Sequence, residues 1–247
     1  GESSRVLGVG AYASEEMGKA LYNTIKDSPD AALQFSSRGP TKDGDIGVDV
    51  MAPGAAWASI SAESLGSAGM YNGTSMSAPS TSGVAALVLS AAKQNGMDPR
   101  PALMRKAMML GAIPINEEAE FTRGAGLANA AGAWAKLQEL QTEPAFDVFY
   151  DVGVNGGTFV DRGRGLYLRE PIAELRRHVT ADIAPYWPES SSSDDRFKFD
   201  EDFVLRPLDS WIEAPEYMPR ANGAERMNLH LYIPERSEKA RKQGEVL

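Results

Sequence analysis

Asn72-Gly73-Thr74-Ser75-Met76-Ser77-Ala78-Pro79 sets a serine between a glycine-initiated turn and the start of a long apolar helix. From Gly83 the chain runs Gly-Val-Ala-Ala-Leu-Val-Leu-Ser-Ala-Ala-Lys, with no helix breaker before Gly96. The first four amides of a helix have no partner inside it and carry the positive end of its dipole. A hydroxyl placed there sits beside ready-made donors for a developing oxyanion. Ser75 is therefore a candidate nucleophile, provided a base is supplied. The competing reading is that Thr74 or Ser75 merely caps the helix, a common use of these residues at such a position. Pro79 leaves the start of the helix open. A helix beginning at Ser75 carries a proline inside it, and one beginning at Pro79 leaves the serine in the preceding turn.

The neighbours of this segment decide between the two readings. Val6-Leu7-Gly8-Val9-Gly10-Ala11, Phe35-Ser36-Ser37-Arg38-Gly39-Pro40 and Asp49-Val50-Met51-Ala52-Pro53-Gly54 precede it, and Gly124-Ala125-Gly126-Leu127-Ala128-Asn129 follows. With the serine segment they resemble, in the same order, the motifs of the subtilisin-like serine proteases. These are the interior strand, the loop after the next strand, the strand before the nucleophile, and the Gly-x-Gly-Leu-x-Asn opening of the last helix. The resemblance covers about residues 5 to 137. The insert between Tyr12 and Phe35, the charged stretch Thr41 to Val48, Gly163-Arg164-Gly165-Leu166-Tyr167-Leu168-Arg169-Glu170-Pro171 and Ile183-Ala184-Pro185-Tyr186-Trp187-Pro188 resemble the tripeptidyl peptidase II branch of that family, which carries β-rich domains after its catalytic one.

This resemblance implies an α/β fold, with residues 1–140 forming the C-terminal part of a subtilisin-like parallel-sheet catalytic domain and residues 141–247 an antiparallel β-sandwich accessory module. It implies a serine-type peptidase acting through an acyl-enzyme on Ser75. The Ser75 amide would hold the oxyanion, Asn72 and Gly73 would shape the turn, Thr74 would add a hydroxyl contact, and Tyr71 would lie toward the leaving-group side of the substrate. For the intact protein it implies tripeptide release from peptide N-termini, homo-oligomeric assembly and a cytoplasmic location. No cofactor and no metal are expected.

The sequence also departs from the family. Subtilisin-like enzymes order their triad Asp, His, Ser, and no histidine precedes Ser75 here. His178 and His230 both lie downstream, in the stretch resembling the accessory module, and read as ordinary strand or surface histidines. The asparagine that supplies the family's second oxyanion donor would also lie upstream of Gly1. The chain is therefore expected to be a piece of a longer protein and inactive alone. The alternative is a non-catalytic subtilase-like assembly or peptide-binding module. Retention of Ser75 within its whole motif argues against that, because a dead enzyme has no physical need of a serine there.

Composition sets further bounds. A chain of 247 residues with 43% hydrophobic and 24% charged residues is globular material, enough for one large domain or two smaller ones. A net charge of −9 argues against a nucleic-acid surface, which needs clustered Lys and Arg. The apolar run from Gly83 is well short of the ~18 residues that span a bilayer. Zero cysteines exclude disulfides and thiolate metal sites and fit a reducing compartment.

A change of pattern falls near Gln138 to Pro144. Before it, strands are expected at about Arg5–Tyr12, Leu33–Ser36, Asp49–Ala52 and Trp57–Ile60, and helices from the Ser75 region to Gln94, from Pro99 to Leu110 and from Leu127 to Leu140. Asp98-Pro99 reads as a helix start and Gly96 as the preceding stop. The helix carrying Ser75 is apolar on every face, so it is expected to be enclosed on all sides. After the boundary, short alternating runs at Phe146–Tyr150, Gly165–Arg169, Phe197–Leu205 and Met227–Ile233 read as antiparallel strands, and Ser190–Asp195 as a polar loop.

Four further signals resolve to plain structure. Gly124-x-Gly126 mimics a dinucleotide loop, but the preceding Glu117–Arg123 is polar rather than a buried strand. Asp43, Asp45 and Asp49 suggest a calcium loop, yet Gly54 stands where a closing glutamate is needed, so a solvated turn is expected. Arg162-Gly163-Arg164 also reads as a solvated turn. Met104, Met108 and Met109 fall at helical spacing, as core residues do.

Overall fold

Val9–Ala13 (β1) and Val50–Pro53 (β3), each opening on a β-branched valine, form a parallel pair, Val9 opposite Val50 and Tyr12 opposite Pro53. Ala11, Tyr12, Val50, Met51 and Ala52 are all buried, as residues of a parallel sheet covered on both faces must be. The computed structural model describes residues 6–23, 30–59, 68–115, 119–141, 149–156, 160, 162–167, 175–187, 192–198, 201–207, 210, 212–220 and 225–233. It divides into two units, residues 1–41 with 46–145, and residues 42–45 with 146–247.

In the first unit, α1 (Glu15–Tyr22) and β2 (Ala31–Ala32) lie between β1 and β3 in the chain. β4 (Ala55–Ser59), β5 (Ala68–Asn72), α2 (Thr74–Gln94), α3 (Pro101–Leu110), α4 (Glu120–Arg123) and α5 (Ala130–Leu140) follow. The sheet order is β2-β1-β3, with β2 antiparallel to β1, and β4 and β5 pair separately as an antiparallel ribbon. The free side of β3 is covered by the glycine segment. Met51 N donates to Gly126 O at 2.7 Å and Ala128 N donates to Met51 O at 2.8 Å. Asn129 then caps α5, its side chain accepting from Ala131 N at 3.1 Å.

Leu33–Ser36 is not a strand. The strand is Ala31–Ala32, and Ser36 N donates to Leu33 O to close a turn. The Ser36 hydroxyl takes over as partner of β1, accepting from Ala11 N at 3.0 Å. The helix expected from Pro99 begins instead at Pro101. Proline holds the residue before it extended, and Arg100 has ψ 153°, so no helix can run through it. Gly96 ends α2 as expected, with φ 70° just past the Asn95 cap.

α2 is not enclosed. Ser77, Thr81, Val88 and Ala92 form one buried stripe, while Ser82, Gly83, Ala86 and Leu87 are exposed, Leu87 at 64%. The exposed face is made of small and apolar residues and carries no charge before Lys93. An all-apolar helix is buried only where elements cover it, and among the described residues β1, β3, α3 and α5 cover one side. On that side Val88 and Ala92 join Leu103, Ala107, Met108, Ala133, Leu137 and Leu140 in one core, with Met104 packed against it.

The second unit holds β6 (Phe149–Asn155), β7 (Arg162–Gly163), β8 (Leu175–Tyr186), α6 (Ser193–Lys198), β9 (Glu201–Val204), β10 (Ile212–Glu213), β11 (Tyr217–Arg220) and β12 (Glu225–Ile233). Every pairing is antiparallel, in a sheet of order β10-β12-β8-β6-β7 and a β11-β9 pair. Along β8, Val179, Ala181 and Ile183 are buried, so the alternate residues face the other way. Ser193–Lys198 is helical rather than part of a polar loop. Its Ser-Asp-Asp opening supplies the residue types favoured at a helix N-terminus. Gly165–Tyr167 is not a strand, the strand there being Arg162–Gly163, and of Phe197–Leu205 only Glu201–Val204 is a strand, Phe197 and Lys198 ending α6. Phe146–Val148, Leu168–Arg169, Ser190–Ser191 and Phe199–Asp200 lie outside the described residues.

Arg164 is not a solvated turn residue, and Asp43 and Asp45 are not a solvated turn. Arg164 Nε bonds Asp43 Oδ2 at 2.9 Å and Nη1 bonds Asp45 Oδ2 at 2.5 Å, with the arginine side chain only 18% exposed. Arg164 N and Gly165 N both donate to Asp43 O. A Cβ on Gly163 would lie 2.2 Å from Asp43 O, and one on Gly165 2.2 Å from Gly44 O, so only glycine allows this approach. Arg164→Ala should lower the stability of the chain by about 1–3 kcal/mol, the range for losing charge-assisted bonds at a half-buried site. Lys198→Ala, which breaks the exposed pair with Asp194, should change it by under ~0.5 kcal/mol. Parallel urea melts compare the two.

Candidate active site

Ser75 is the second residue of α2. The residue before the helix is Gly73, which has no side chain to cap with, so neither Thr74 nor Ser75 is the helix cap. The capping reading of this serine therefore fails. The Ser75 amide is one of the four at a helix start that have no intrahelical carbonyl. Gly73 has φ 155° and ψ 161°, a conformation that side-chain-bearing residues rarely adopt. It turns the chain out of β5 and directly into α2. Pro79 lies inside the helix, so the bond that residue 79 would give to the Ser75 carbonyl is not made.

Two bonds fix this turn to the end of β3. Gly73 N donates to Gly54 O at 2.9 Å, and the Ser77 hydroxyl donates to Pro53 O at 3.1 Å. Ser77 is wholly buried by this contact, whereas Ser75 is exposed. Thr81, one turn further along the same stripe, is buried with its hydroxyl unpartnered. Tyr71 and Asn72 end β5, opposite Ala56 and Ala55, and both are exposed. Thr74 is half-buried beside them. The structure thus gathers Tyr71, Asn72, Gly73, Thr74 and Ser75 along one strand-to-helix turn.

Sequence reasoning missed two supports of this turn. The Tyr22 hydroxyl, at the end of α1, donates to Asn72 Oδ1 at 2.6 Å, joining the unforeseen helix to the residue before the turn. Asp49, at the foot of β3, accepts from Gly8 N at 2.6 Å and from Arg105 Nη2 of α3 at 2.6 Å. It is neither a calcium ligand nor part of a solvated turn. An acid set inside Val48-Asp49-Val50-Met51 was the available signal, since a carboxylate in an apolar run needs a partner. A third contact braces β1. The Tyr12 hydroxyl donates to Asp30 Oδ2 at 2.5 Å. Burial and this bond push the Tyr12 phenol well above its ordinary range, while the same bond and the Glu15 amide hold Asp30 below its own.

The two histidines stand on β8 and β12 of the second unit, in register with each other. Among the described residues no group of three His, Cys, Asp or Glu side chains is gathered to hold a metal. No helix among them is long and apolar enough to cross a membrane.

Comparison with known proteins agrees with the order of motifs. The family model described as the subtilase family matches residues 1–141. The tripeptidyl-peptidase 2 of Arabidopsis thaliana is 34% identical over 237 residues, 93% of this chain and 17% of that protein. Pyrolysin of Pyrococcus furiosus is 32% identical over 191 residues, 71% of this chain and 14% of that protein. A crystal structure of tripeptidyl peptidase 2 superposes with a TM-score of 0.67 at 25% identity, covering 93% of this chain and 17% of that one. The chain spans 14–17% of the length of these curated relatives.

Proposed function

This chain belongs to the subtilase family of serine-type peptidases, and on that premise we propose that Ser75 is the nucleophile of a peptidase whose substrates are peptides. The observation that carries this is the placement of Ser75 in the uncapped first turn of α2, exposed, with its turn tied to Pro53 and Gly54. The Ser75 hydroxyl gives its proton to a histidine base and its oxygen bonds to the scissile carbonyl carbon. The oxyanion so formed is held by the Ser75 amide. Collapse expels the amine, which takes the proton back from the base. Water then cleaves the ester by the same route in reverse. Gly73 and Asn72 shape the turn, Thr74 adds a hydroxyl contact, and Tyr71 borders the leaving-group side.

The finer reading is tripeptide release from peptide N-termini by the intact protein, supported by the name of the relatives that match most of this chain. Homo-oligomeric assembly and a cytoplasmic location belong to the same reading, the latter supported by the lack of cysteine. We read the two antiparallel sheets of the second unit as layers of a β-sandwich, because the apolar face of β8 needs a cover.

A fluorophosphonate applied to the full-length protein should form an adduct on Ser75. Ser77 should stay unlabelled because it is buried against Pro53 O, and Ser80 because it is past the free amides of the first turn. Peptide mass spectrometry reads the site. An adduct on any other serine of the motif would refute the assignment.

A further inference from the structure

The chain has two histidines, 52 positions apart, and both stand at one place. His178 of β8 lies directly opposite His230 of β12, with ring centroids 5.0 Å apart and planes tilted by 56°. Directly opposite residues of antiparallel strands share a face. That face is the polar one, because Val179 and Ala181, which alternate with His178, are buried on the other. Both histidines are exposed. We propose that His178 and His230 form a bidentate imidazole site for a divalent transition ion of the zinc class.

The spacing carries the argument. A metal–nitrogen bond to imidazole is about 2.0–2.1 Å, which puts the metal about 3.2 Å from the ring centre. Two rings sharing one tetrahedral ion therefore have centroids about 5.2 Å apart. The observed 5.0 Å needs no strand movement. The 56° tilt shows that the rings are not stacked face to face.

The surroundings suit a cation. Glu213 of β10 is the register neighbour of His230, so the row across three strands reads Glu213, His230, His178. The next position on the same face of β8, Thr180, is occupied by Asn155, whose Nδ2 donates to Thr180 Oγ1 at 2.9 Å. Since no third His, Cys, Asp or Glu is gathered with the pair among the described residues, water fills the remaining positions. Such a site is open and of modest affinity. Imidazole ligands select zinc, copper or nickel over magnesium, which prefers oxygen. A bound ion would pin β8 to β12 through side chains, in addition to the ladder between them.

Calorimetric titration of the 247-residue chain with zinc chloride tests this. One ion per chain should bind, either His178→Ala or His230→Ala should weaken it at least about tenfold, and magnesium chloride should not compete. Zinc binding unchanged in both variants would overturn the proposal, by showing that ions collect on the surface carboxylates instead. His178→Gln and His230→Gln, checked by circular dichroism, guard against loss of folding. Trace nickel added to the unaltered chain gives a reading free of variants. Paramagnetic broadening should centre on the imidazole signals, and broadening centred elsewhere would count against the site.

Discussion

The 247-residue chain by itself should hydrolyse a tripeptide-amide reporter no faster than its Ser75→Ala variant. The deficit relative to a complete enzyme should be on the order of 10⁶ in turnover, the loss measured when subtilisin, a relative in this family, is stripped of its triad serine or histidine. The reason lies in what Ser75 is given. Its turn is built, and its amide stands in the open first turn of α2. No histidine precedes it to remove its proton, and the chain's two histidines are engaged with each other across β8 and β12. An amide without a base binds a carbonyl oxygen but does not make an alkoxide. Purified chain and Ser75→Ala, assayed side by side with the released amine quantified, give the answer. Serine-dependent turnover at an enzymatic rate would show that a base reaches Ser75 by some other route.

What the sequence shows plainly is whatever depends on local chemistry. The serine turn, the long helix after it and the Gly96 stop were legible, because each rests on residues whose conformational preference is strong, and the helix expected from Leu127 was legible too, although it starts at Ala130 behind its Asn129 cap. α1 was not read, although Ser14 caps it by accepting from Met17 N and Glu15 and Glu16 fill its first turn. The segment is short, and its signature lay within an insert that offered no hydrophobic run to mark it. The Tyr22–Asn72 bond was hidden with it, since a contact between residues 50 positions apart leaves no periodicity. The burial of α2 was misjudged for a different reason. Composition shows that a face tolerates burial, but only a neighbouring element buries it. Arg164 failed in the opposite direction. A short basic turn looks solvated by default, and the glycines flanking it, whose purpose is close approach to Asp43 and Gly44, were the signal that it is not.

Arg105→Met should lower the stability of the first unit by about 3–5 kcal/mol, the range for leaving one partner of a buried ion pair alone. Which partner is left decides the size. The Asp49 side chain is 7% exposed, whereas that of Arg105 is 31% exposed. Removing the arginine strands a carboxylate that cannot reach water and keeps only the Gly8 amide as donor. Removing the acid strands a guanidinium that water can reach, so Asp49→Ala should be milder, about 1–3 kcal/mol, mostly from the orphaned Gly8 amide. Methionine keeps much of the volume of the arginine stem, so the loss in Arg105→Met reports charge rather than a cavity. Adding Asp49→Asn to it should restore more than half of the stability, since asparagine still accepts from Gly8 N and brings no charge. Urea melts of the unaltered chain, Arg105→Met, Asp49→Asn and the double variant measure the coupling, and Asp49→Ala is melted beside them. A loss under ~1 kcal/mol in Arg105→Met, with no recovery on adding Asp49→Asn, would mean that the pair behaves like a solvated one. The consequence reaches the serine turn by a continuous path. Asp49 fixes the foot of β3, and Pro53 and Gly54 at its far end hold Ser77 and Gly73 on either side of Ser75. The Arg105–Asp49 pair is therefore joined, through β3, to the turn that carries Ser75.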